Sequence, residues 1–333
     1  MSDIPYVWYG LLFIALFLYV SLDGFDLGVG ILFPFAPSDE SRDLMMNSIA
    51  PFWDGNETWL VLSGGGLLAA FPLAYAILMP AFYMPVILML LGLIFRGVAF
   101  EFRFKAERSR RVWDYAFHFG SIVAAFMQGM ILGTYVRGVQ VAGRSFAGQP
   151  FDWISAYSFM TGVALVFGYA LLGSTWLVMK TEGPTQTWAR KCASYVLIYV
   201  ALFLCVVSVS MPLMDQRIRT LWFSFPNIYY LLPIPAATVA LVLTIWKNLA
   251  AGLENRPFLL SLGVFFLGYL GWGISFWPWI VPFAFTFKQA AAAPSSQAFL
   301  LAGTVVILPV ILAYASYCYY VFRGKVSREG FYH

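Results

Sequence analysis

Charged side chains are scarce in this sequence. Asp, Glu, Lys and Arg make up 11% of the 333 residues, whereas hydrophobic residues make up 61% and the mean hydropathy is +0.77. A soluble globular chain has about 25% charged residues, because polar groups must cover its surface. The scarcity excludes a water-soluble core and indicates a helix bundle in lipid, where only the loops need to be polar. The net charge of +4 then concerns orientation in the membrane and not nucleic-acid binding.

Side chains that bind metals or cofactors are equally few. The three cysteines show no CxxC spacing, which indicates neither a disulfide framework nor a thiolate metal site. The two histidines, His118 and His333, are too few for the facing pairs that commonly hold a transmembrane haem. His118 fits a hydrogen-bonded histidine at the membrane boundary. The chain also lacks the phosphate-binding GxxxxGKS/T motif of ATP-driven pumps, so no metal or nucleotide site is predicted.

Long uncharged runs recur along the chain, and a spanning helix needs about 20 such residues. Residues 58–95 carry no charge but would form a helix of roughly 57 Å, so they must hold two spans. The hinge is predicted at Phe71-Pro72, because proline disfavours helical structure in the residue before it. We expect an all-α polytopic membrane protein that forms a single integral membrane domain over 1–333, with two four-helix bundles and one peripheral helix. Its nine predicted spans cover about 5–35, 47–70, 73–101, 114–136, 153–179, 190–214, 222–247, 257–286 and 298–322.

The distribution of Lys and Arg predicts the orientation of these spans. With the N-terminus outside, fourteen of the twenty basic residues fall on the cytoplasmic side, five fall on the opposite side and Arg96 lies inside a span. Lys and Arg in short loops are retained in the cytoplasm. The sequence therefore predicts a periplasmic N-terminus and a cytoplasmic C-terminus. The first apolar run has no basic region before it and no cleavage site, which favours a permanent span over a removed signal peptide.

Ionisable residues within the predicted spans are rare, and each costs about 2.5–3.5 kcal/mol on insertion scales. Asp23 and Asp26 in the first span, and Asp54 and Glu57 in the second, are spaced i, i+3, which places each pair on one helical face. By helical rise, Asp26 lies about 14 Å from the inner end of its span, Asp54 about 10 Å and Arg96 of the third span about 8 Å. These groups are therefore predicted to meet in the inner half of the bilayer.

Two hypotheses account for these charges. In the first, Arg96 pairs with Asp26 or Asp54 in a structural ion cluster that fixes helix packing. In the second, which we favour, Asp54 with Asp26 and Glu57 belongs to a proton or cation route that opens to the cytoplasm, and Arg96 is the counter-charge. Asp23 is expected to accept only backbone or hydroxyl hydrogen bonds. The weaker candidates for the same route are Asp23, Asn56 and Trp53.

Small residues and prolines add two expectations about packing. Gly24 and Gly28 in the first span, and the glycines at 64–66 in the second, offer flat faces where helices can approach closely, within the chain or against a second subunit. Pro278 and Pro282 are expected to bend the outer end of the eighth span, which is rich in aromatic residues.

Four segments of the sequence resemble subunit II of the cytochrome bd quinol oxidases. The resemblance is close over the first hundred residues. Over the rest of the chain it consists of the same number of helices, a similar length and a similar C-terminal segment. The shorter length and the WDGNETW segment are most similar to the cyanide-insensitive branch. The segments are SLDGFDLGVGILFPF, RDLMMNSIAPFWDGNETWLVLSGGGLLAAFPLAYA, LIFRGVAFEFRFKAE and YCYYVFRGK.

The resemblance implies a nine-helix subunit in the bacterial inner (cytoplasmic) membrane, beside an oxidase subunit I that carries the quinol site and the haems, either haem b and haem d or haem b only. In the family, the complex oxidises quinol, reduces oxygen to water with cytoplasmic protons and builds a membrane potential without pumping. This chain would then ligate no haem itself and bind no nucleic acid. Family members can also hold a structural quinone against subunit II and include a small single-span subunit, but no residue here identifies either site.

The resemblance also assigns three residues. The family's cytoplasmic proton channel lies at the subunit interface, and its carboxylate in the WDGN motif falls on Asp54. The second aspartate of DGFD falls on Asp26 and the arginine of FR falls on Arg96, both functionally important positions by analogy.

Two other functions compete with this one. A self-sufficient secondary transporter would use the same carboxylates for cation or proton coupling, and transport by the purified single chain would favour it. A purely structural scaffold predicts that Asp54→Asn leaves turnover unchanged. A neighbouring membrane chain rich in histidine would favour the oxidase.

Overall fold

The computed structural model describes residues 3–106 and 108–326 and is mainly α-helical. His333, considered above as a haem ligand, lies outside the described residues. The helices are α1 (Ile4–Leu32), α2 (Asp39–Ile49), α3 (Trp53–Ala70), α4 (Pro72–Ala81), α5 (Tyr83–Arg103), α6 (Arg110–Arg137), α7 (Ala156–Lys180), α8 (Gly183–Met214), α9 (Gln216–Phe223), α10 (Asn227–Leu231), α11 (Pro233–Ala250), α12 (Asn255–Phe276), α13 (Phe287–Ala290) and α14 (Pro294–Val321). A short 3₁₀ turn, Phe33–Phe35, continues α1.

Eight helical stretches in the described part of the chain are long and apolar enough to cross a membrane. The predicted all-α polytopic membrane fold is therefore confirmed. The predicted span missing from these eight is the second, 47–70. It corresponds to α3, whose 18 residues begin with the polar WDGNET segment and whose mean hydropathy is correspondingly low. The eight stretches are Ile4–Phe35, Tyr83–Arg103, Arg110–Arg137, Ala156–Lys180, Gly183–Met214, Asn227–Ala250, Asn255–Phe276 and Pro294–Val321.

The long helices are arranged in two groups that share a central seam. Helix α1 packs on α3 and α6, and α5 packs on α6; in the second group α7 packs on α8 and α12, and α11 packs on α12. Helices α1 and α6 also pack on α7 and join the two groups. Helix α14 contacts α1 and α3, and its most apolar window has no residue buried within the chain, so it is peripheral.

Glycine allows the backbones of α1 and α7 to touch at the seam. A Cβ atom added at Gly28 would lie 1.8 Å from the backbone oxygen of Tyr169, and one at Gly173 would lie 2.3 Å from the backbone of Gly28. No other residue type fits at these two positions. Gly24 packs on the Tyr169 ring, as predicted, whereas Gly64 and Gly65 have open space around them and contribute no packing within the chain.

The structure corrects the predicted start of the second span and the integrity of the third. Asn47 belongs to α2, and the chain breaks over 50–52 before α3 begins at Trp53. The predicted hinge at Phe71-Pro72 is present, but the 73–101 span is broken again at Phe82. Pro85 explains this break, because its ring clashes with the carbonyl of residue 81 and supplies no amide donor to it.

The eighth predicted span, 257–286, is ten residues too long. Helix α12 ends at Phe276, and Trp277 adopts the extended conformation (ψ 134°) that a following proline imposes. Pro278 thus ends the helix instead of bending it. The aromatic segment then forms a short antiparallel hairpin of β1 (Trp279–Val281) and β2 (Phe285–Thr286).

The other predicted boundaries differ by a few residues. The sixth span begins at Gly183 instead of 190, because Pro184 starts the helix with a residue that needs no amide partner. The seventh, predicted over 222–247, is divided at Leu232 ahead of Pro233 and extends to Ala250. The ninth begins at Pro294 instead of 298. A second small hairpin pairs Val141–Ala142 with Ser145–Phe146 in the loop between α6 and α7.

Candidate functional site

A fully buried arginine forms the centre of the candidate site. Arg96 of α5 donates through one terminal nitrogen to Asp23 of α1 at 2.6 Å and through the other to Glu57 of α3 at 2.5 Å. The side chains of Arg96 and Asp23 are 0% and 1% exposed, whereas that of Glu57 is 26% exposed. Three helices from the first part of the chain are therefore joined by one guanidinium.

This pairing corrects the predicted partners of Arg96. The expected partners of the arginine are Asp26 or Asp54, and Asp23 is expected to accept only backbone or hydroxyl hydrogen bonds. Because Asp23 and Asp26 lie almost one helical turn apart on α1, the i, i+3 spacing identifies their common face but not which of the two the arginine reaches. The structure selects Asp23.

Asp26 has an amide partner instead of a cation. The side-chain Nδ2 of Asn56 donates to Asp26 at 2.7 Å, and the Tyr319 hydroxyl of α14 donates to the Asn56 side-chain oxygen at 2.9 Å. Asp26 and Asn56 are both buried, and the second carboxylate oxygen of Asp26 has no partner among the described residues. A continuous set of hydrogen bonds therefore runs from the peripheral helix α14 to Asp26 in the last third of α1.

Asp54 and Trp53 lie at the start of α3. Asp54 is exposed and occupies the first turn of the helix, so it lies apart from the buried ion pairs. Glu57 is one turn further along the same helix and connects this exposed position with the buried arginine. Trp53 stacks face to face on Phe100, with the ring centroids 4.8 Å apart, and so anchors the start of α3 against α5.

The charges of the buried cluster do not balance. In the part of the chain that the structure describes, the acidic side chains of Asp23, Asp26 and Glu57 surround a single cation, Arg96. Unbalanced charge in a low-dielectric interior costs several kcal/mol per ion. The cluster can therefore be electrically neutral only when it also binds protons.

The one histidine among the described residues is already engaged. His118 is 8% exposed, and its Nδ1 donates to the Gly30 carbonyl at 3.1 Å, as expected for a hydrogen-bonded histidine. The residues described also contain no group of three or more His, Cys, Asp or Glu placed to hold a metal ion.

Comparison with known proteins identifies the family. The sequence pattern of cytochrome bd terminal oxidase subunit II matches residues 4–322. This chain belongs to that family. Subunit II of the cytochrome bd-I ubiquinol oxidase of Escherichia coli K12 is 31% identical over 363 aligned residues, which cover 97% of this chain and 95% of the relative.

Two further comparisons extend over nearly the whole chain. Cytochrome bd ubiquinol oxidase subunit 2 of Bacillus subtilis is 30% identical over 342 residues, 99% of this chain and 98% of that protein. A chain in the structure of bd oxidase from Geobacillus thermodenitrificans superimposes with a TM-score of 0.74 over 96% of this chain and 99% of that one. The identity in that superposition is 14%, so it shows the common fold.

Sequence reasoning missed a second ion cluster in this subunit II chain. The buried Arg103 of α5 donates to Asp43 of α2 at 2.7 Å and to Asp114 of α6 at 2.5 Å, and Arg110 also pairs with Asp43. These residues lie at helix ends and loops, where charges are usual, so no apolar context distinguished them. The cluster joins α2, α5 and α6 about two helical turns beyond Arg96 along α5.

A set of hydrogen-bonded polar side chains on α1, α6 and α7 lies next to the Arg96 site. Tyr19 lies one turn before Asp23 on α1, and the side-chain amide of Gln128 on α6 donates to its hydroxyl at 2.8 Å. The hydroxyl of Tyr169 on α7 donates to the Gln128 oxygen at 2.6 Å. A single tyrosine or glutamine does not stand out within an apolar span. Only the packing of the three helices brings these side chains together and reveals the set.

Proposed function

We propose that this chain is subunit II of a membrane-bound bd-type quinol oxidase and provides part of a proton path from the cytoplasm to the oxygen-reducing centre of subunit I. In this proposal the haems, either b and d or b only, and the quinol site belong to subunit I. Subunit II stabilises that partner and ligates no haem. Oxygen is reduced to water with protons from one side, which builds a membrane potential without pumping.

One observation carries the proton-path part of the proposal. Among the described residues, the three acids outnumber the one cation that they surround, and the partly exposed Glu57 joins that group to the chain surface. A cluster that needs protons for neutrality and has one member at the surface has the properties of a relay. Asp54, exposed one turn away on the same helix, is the entry residue in this path.

The exposed face of α3 is where subunit I would contact this chain. Asp54, Thr58, Val61, Gly65 and Leu68 recur at helical spacing and are all exposed. Gly65 has open space around it, so a second helix can approach the backbone there. This surface starts at the entry acid, so the partner would cover Asp54 and guide protons along the interface.

The proposed orientation places the entry acid on the cytoplasmic side of the bacterial inner membrane. Fourteen basic residues fall on the side that contains the start of α3, and five fall on the other. Positive residues in short loops remain in the cytoplasm. The N-terminus is then periplasmic and the C-terminus cytoplasmic.

The test compares two neutral variants with a matched control in the purified two-subunit complex. Asp54→Asn and Glu57→Gln are expected to lower quinol-dependent oxygen consumption roughly tenfold or more, since positioned proton donors and acceptors contribute about 10²–10⁴-fold and the remaining acid can substitute in part. Glu101→Gln, on the exposed inner end of α5, should retain normal turnover.

Haem content from the visible spectrum distinguishes a proton-path defect from an assembly defect. Both acidic variants should assemble with normal haem, because neither substitution removes Arg96. Normal oxygen consumption in Asp54→Asn and Glu57→Gln, at normal haem content, would refute the proton path while leaving the subunit assignment intact.

A further inference from the structure

A polar cavity opens at one end of the bundle, and its lining includes none of the acids Asp23, Asp26 and Glu57. It has a volume of about 150 Å³ and lies between the break that precedes α3, the end of α7 and the end of α14. A single water needs ~10–15 Å³ of such space, so the cavity accommodates a larger group. Its described lining contains Lys180, Arg323 and Lys325 and no acidic residue.

The cations of this cavity retain hydrogen-bonding capacity. Lys180 donates to the Phe322 carbonyl at 2.5 Å, which uses one of the three N–H bonds of an ammonium group. Arg323 donates to the Tyr320 carbonyl at 3.3 Å, one of the five N–H bonds of a guanidinium. Lys325 uses all three of its N–H bonds, with Glu254 at 2.7 Å and with the carbonyls of Thr181 and Val178 at 3.0 and 3.5 Å. Lys180 and Arg323 are therefore the two groups with donors to offer an anion.

A buried acceptor in the same lining requires a donor. The side-chain oxygen of Asn47 has no hydrogen-bond partner among the described residues, although Asn47 is 5% exposed. An unsatisfied buried polar atom costs about 1–3 kcal/mol. A ligand that presents an oxyanion to Lys180 and Arg323, and a hydroxyl or ammonium group to Asn47, would satisfy all three residues.

The depth of the cavity indicates where such a ligand comes from. Lys180 is the last residue of α7 and Arg323 lies two residues beyond the end of α14, so both are at the end of apolar spans, where lipid phosphates lie. Basic pockets between transmembrane helices at this level bind anionic headgroups. We propose that this cavity binds a phosphate oxyanion, supplied by an acidic phospholipid whose headgroup hydroxyl donates to Asn47.

The test measures binding of phosphatidylglycerol to the purified oxidase complex by native mass spectrometry, with phosphatidylcholine and inorganic phosphate as separate probes. Wild-type complex is expected to retain one more phosphatidylglycerol than the Lys180→Gln variant. Arg323→Gln, an exposed position, should weaken binding roughly tenfold or more, because hydrogen bonds to charged groups are lost. Lys191→Gln removes the same charge from an exposed position on α8 and should bind like wild type.

Each outcome decides the proposal. Equal binding of phosphatidylglycerol and phosphatidylcholine, or equal retention in the wild type and both cavity variants, overturns it. A third outcome is that inorganic phosphate saturates the wild-type site but not that of Arg323→Gln, while the two lipids bind equally. This outcome supports the oxyanion site but overturns the lipid as its source. If Lys180→Gln fails to assemble, Arg323→Gln alone provides the comparison.

Discussion

Replacing Arg96 by methionine should prevent most of the complex from assembling. Asp23, at 1% side-chain exposure, would lose its cation, and Asn56 already serves Asp26. Removing one partner of a buried ion pair costs about 3–5 kcal/mol, which is a large part of the ~5–15 kcal/mol that stabilises a typical folded protein. Glu57 would suffer less, because its side chain is partly exposed and can be hydrated.

The assay is the amount of haem-containing complex per mass of membrane, measured from the visible spectrum, together with immunodetection of this chain. Arg96→Met should reduce the assembled complex severely. Arg111→Met, an exposed arginine on α6, is the matched control and should change stability by no more than about 0.5 kcal/mol.

A second substitution tests whether the stranded carboxylate is the cause. Arg96→Met/Asp23→Asn should recover part of the assembled complex, because removing both members of a buried pair is far less costly than removing one. If the double variant assembled no better than Arg96→Met, the loss would come from packing volume instead of charge. Normal assembly of Arg96→Met would refute the reasoning altogether.

Two further predictions address packing and pH. Gly28→Val should abolish accumulation of the folded chain, since its side chain would overlap the α7 backbone, whereas Gly10→Val, with open space around it, should accumulate normally in immunoblots. Lys325 and Gln186 donate hydrogen bonds to Glu254 and lower the pKa of its carboxyl group. The ionised Glu254 therefore stabilises the fold fully at pH values above the usual glutamate pKa of 4.5. This stabilisation is lost as the pH falls through the lowered pKa. Glu254→Gln should therefore reduce the apparent melting temperature by roughly 1–2 °C at pH 7, and this difference should disappear in acid; a difference independent of pH would contradict the ion pair.

The sequence alone predicted that this is a membrane protein and located most of its spans, because apolar runs of spanning length have few alternative structures. It failed where proline acts locally. Pro85 divides a run that has no charge, and Pro278 turns an apolar segment into a hairpin, although both segments have the composition of continuous spans. Hydropathy averages over such positions, so only backbone geometry resolves them.

For the candidate site, the sequence identified the acids and the arginine but not their pairing. The choice of Asp23 over Asp26 depends on the rotation of α1 about its axis, and this rotation is set by the approach of Gly28 to α7. The Arg103 cluster was missed because its members lie near loops, where an arginine is ordinary. Whether Asp54 carries protons remains a prediction for the variants described above.

The meeting of Gly28 and Gly173 restricts how the buried acids can operate. The backbones of α1 and α7 are in direct contact there, so α1 cannot slide or rock without moving α7 with it. Carriers that expose a site alternately to the two membrane faces depend on such rocking. In the proposed proton path, the acids of α1 therefore keep their positions relative to α7, and a hydrogen ion would pass between stationary side chains.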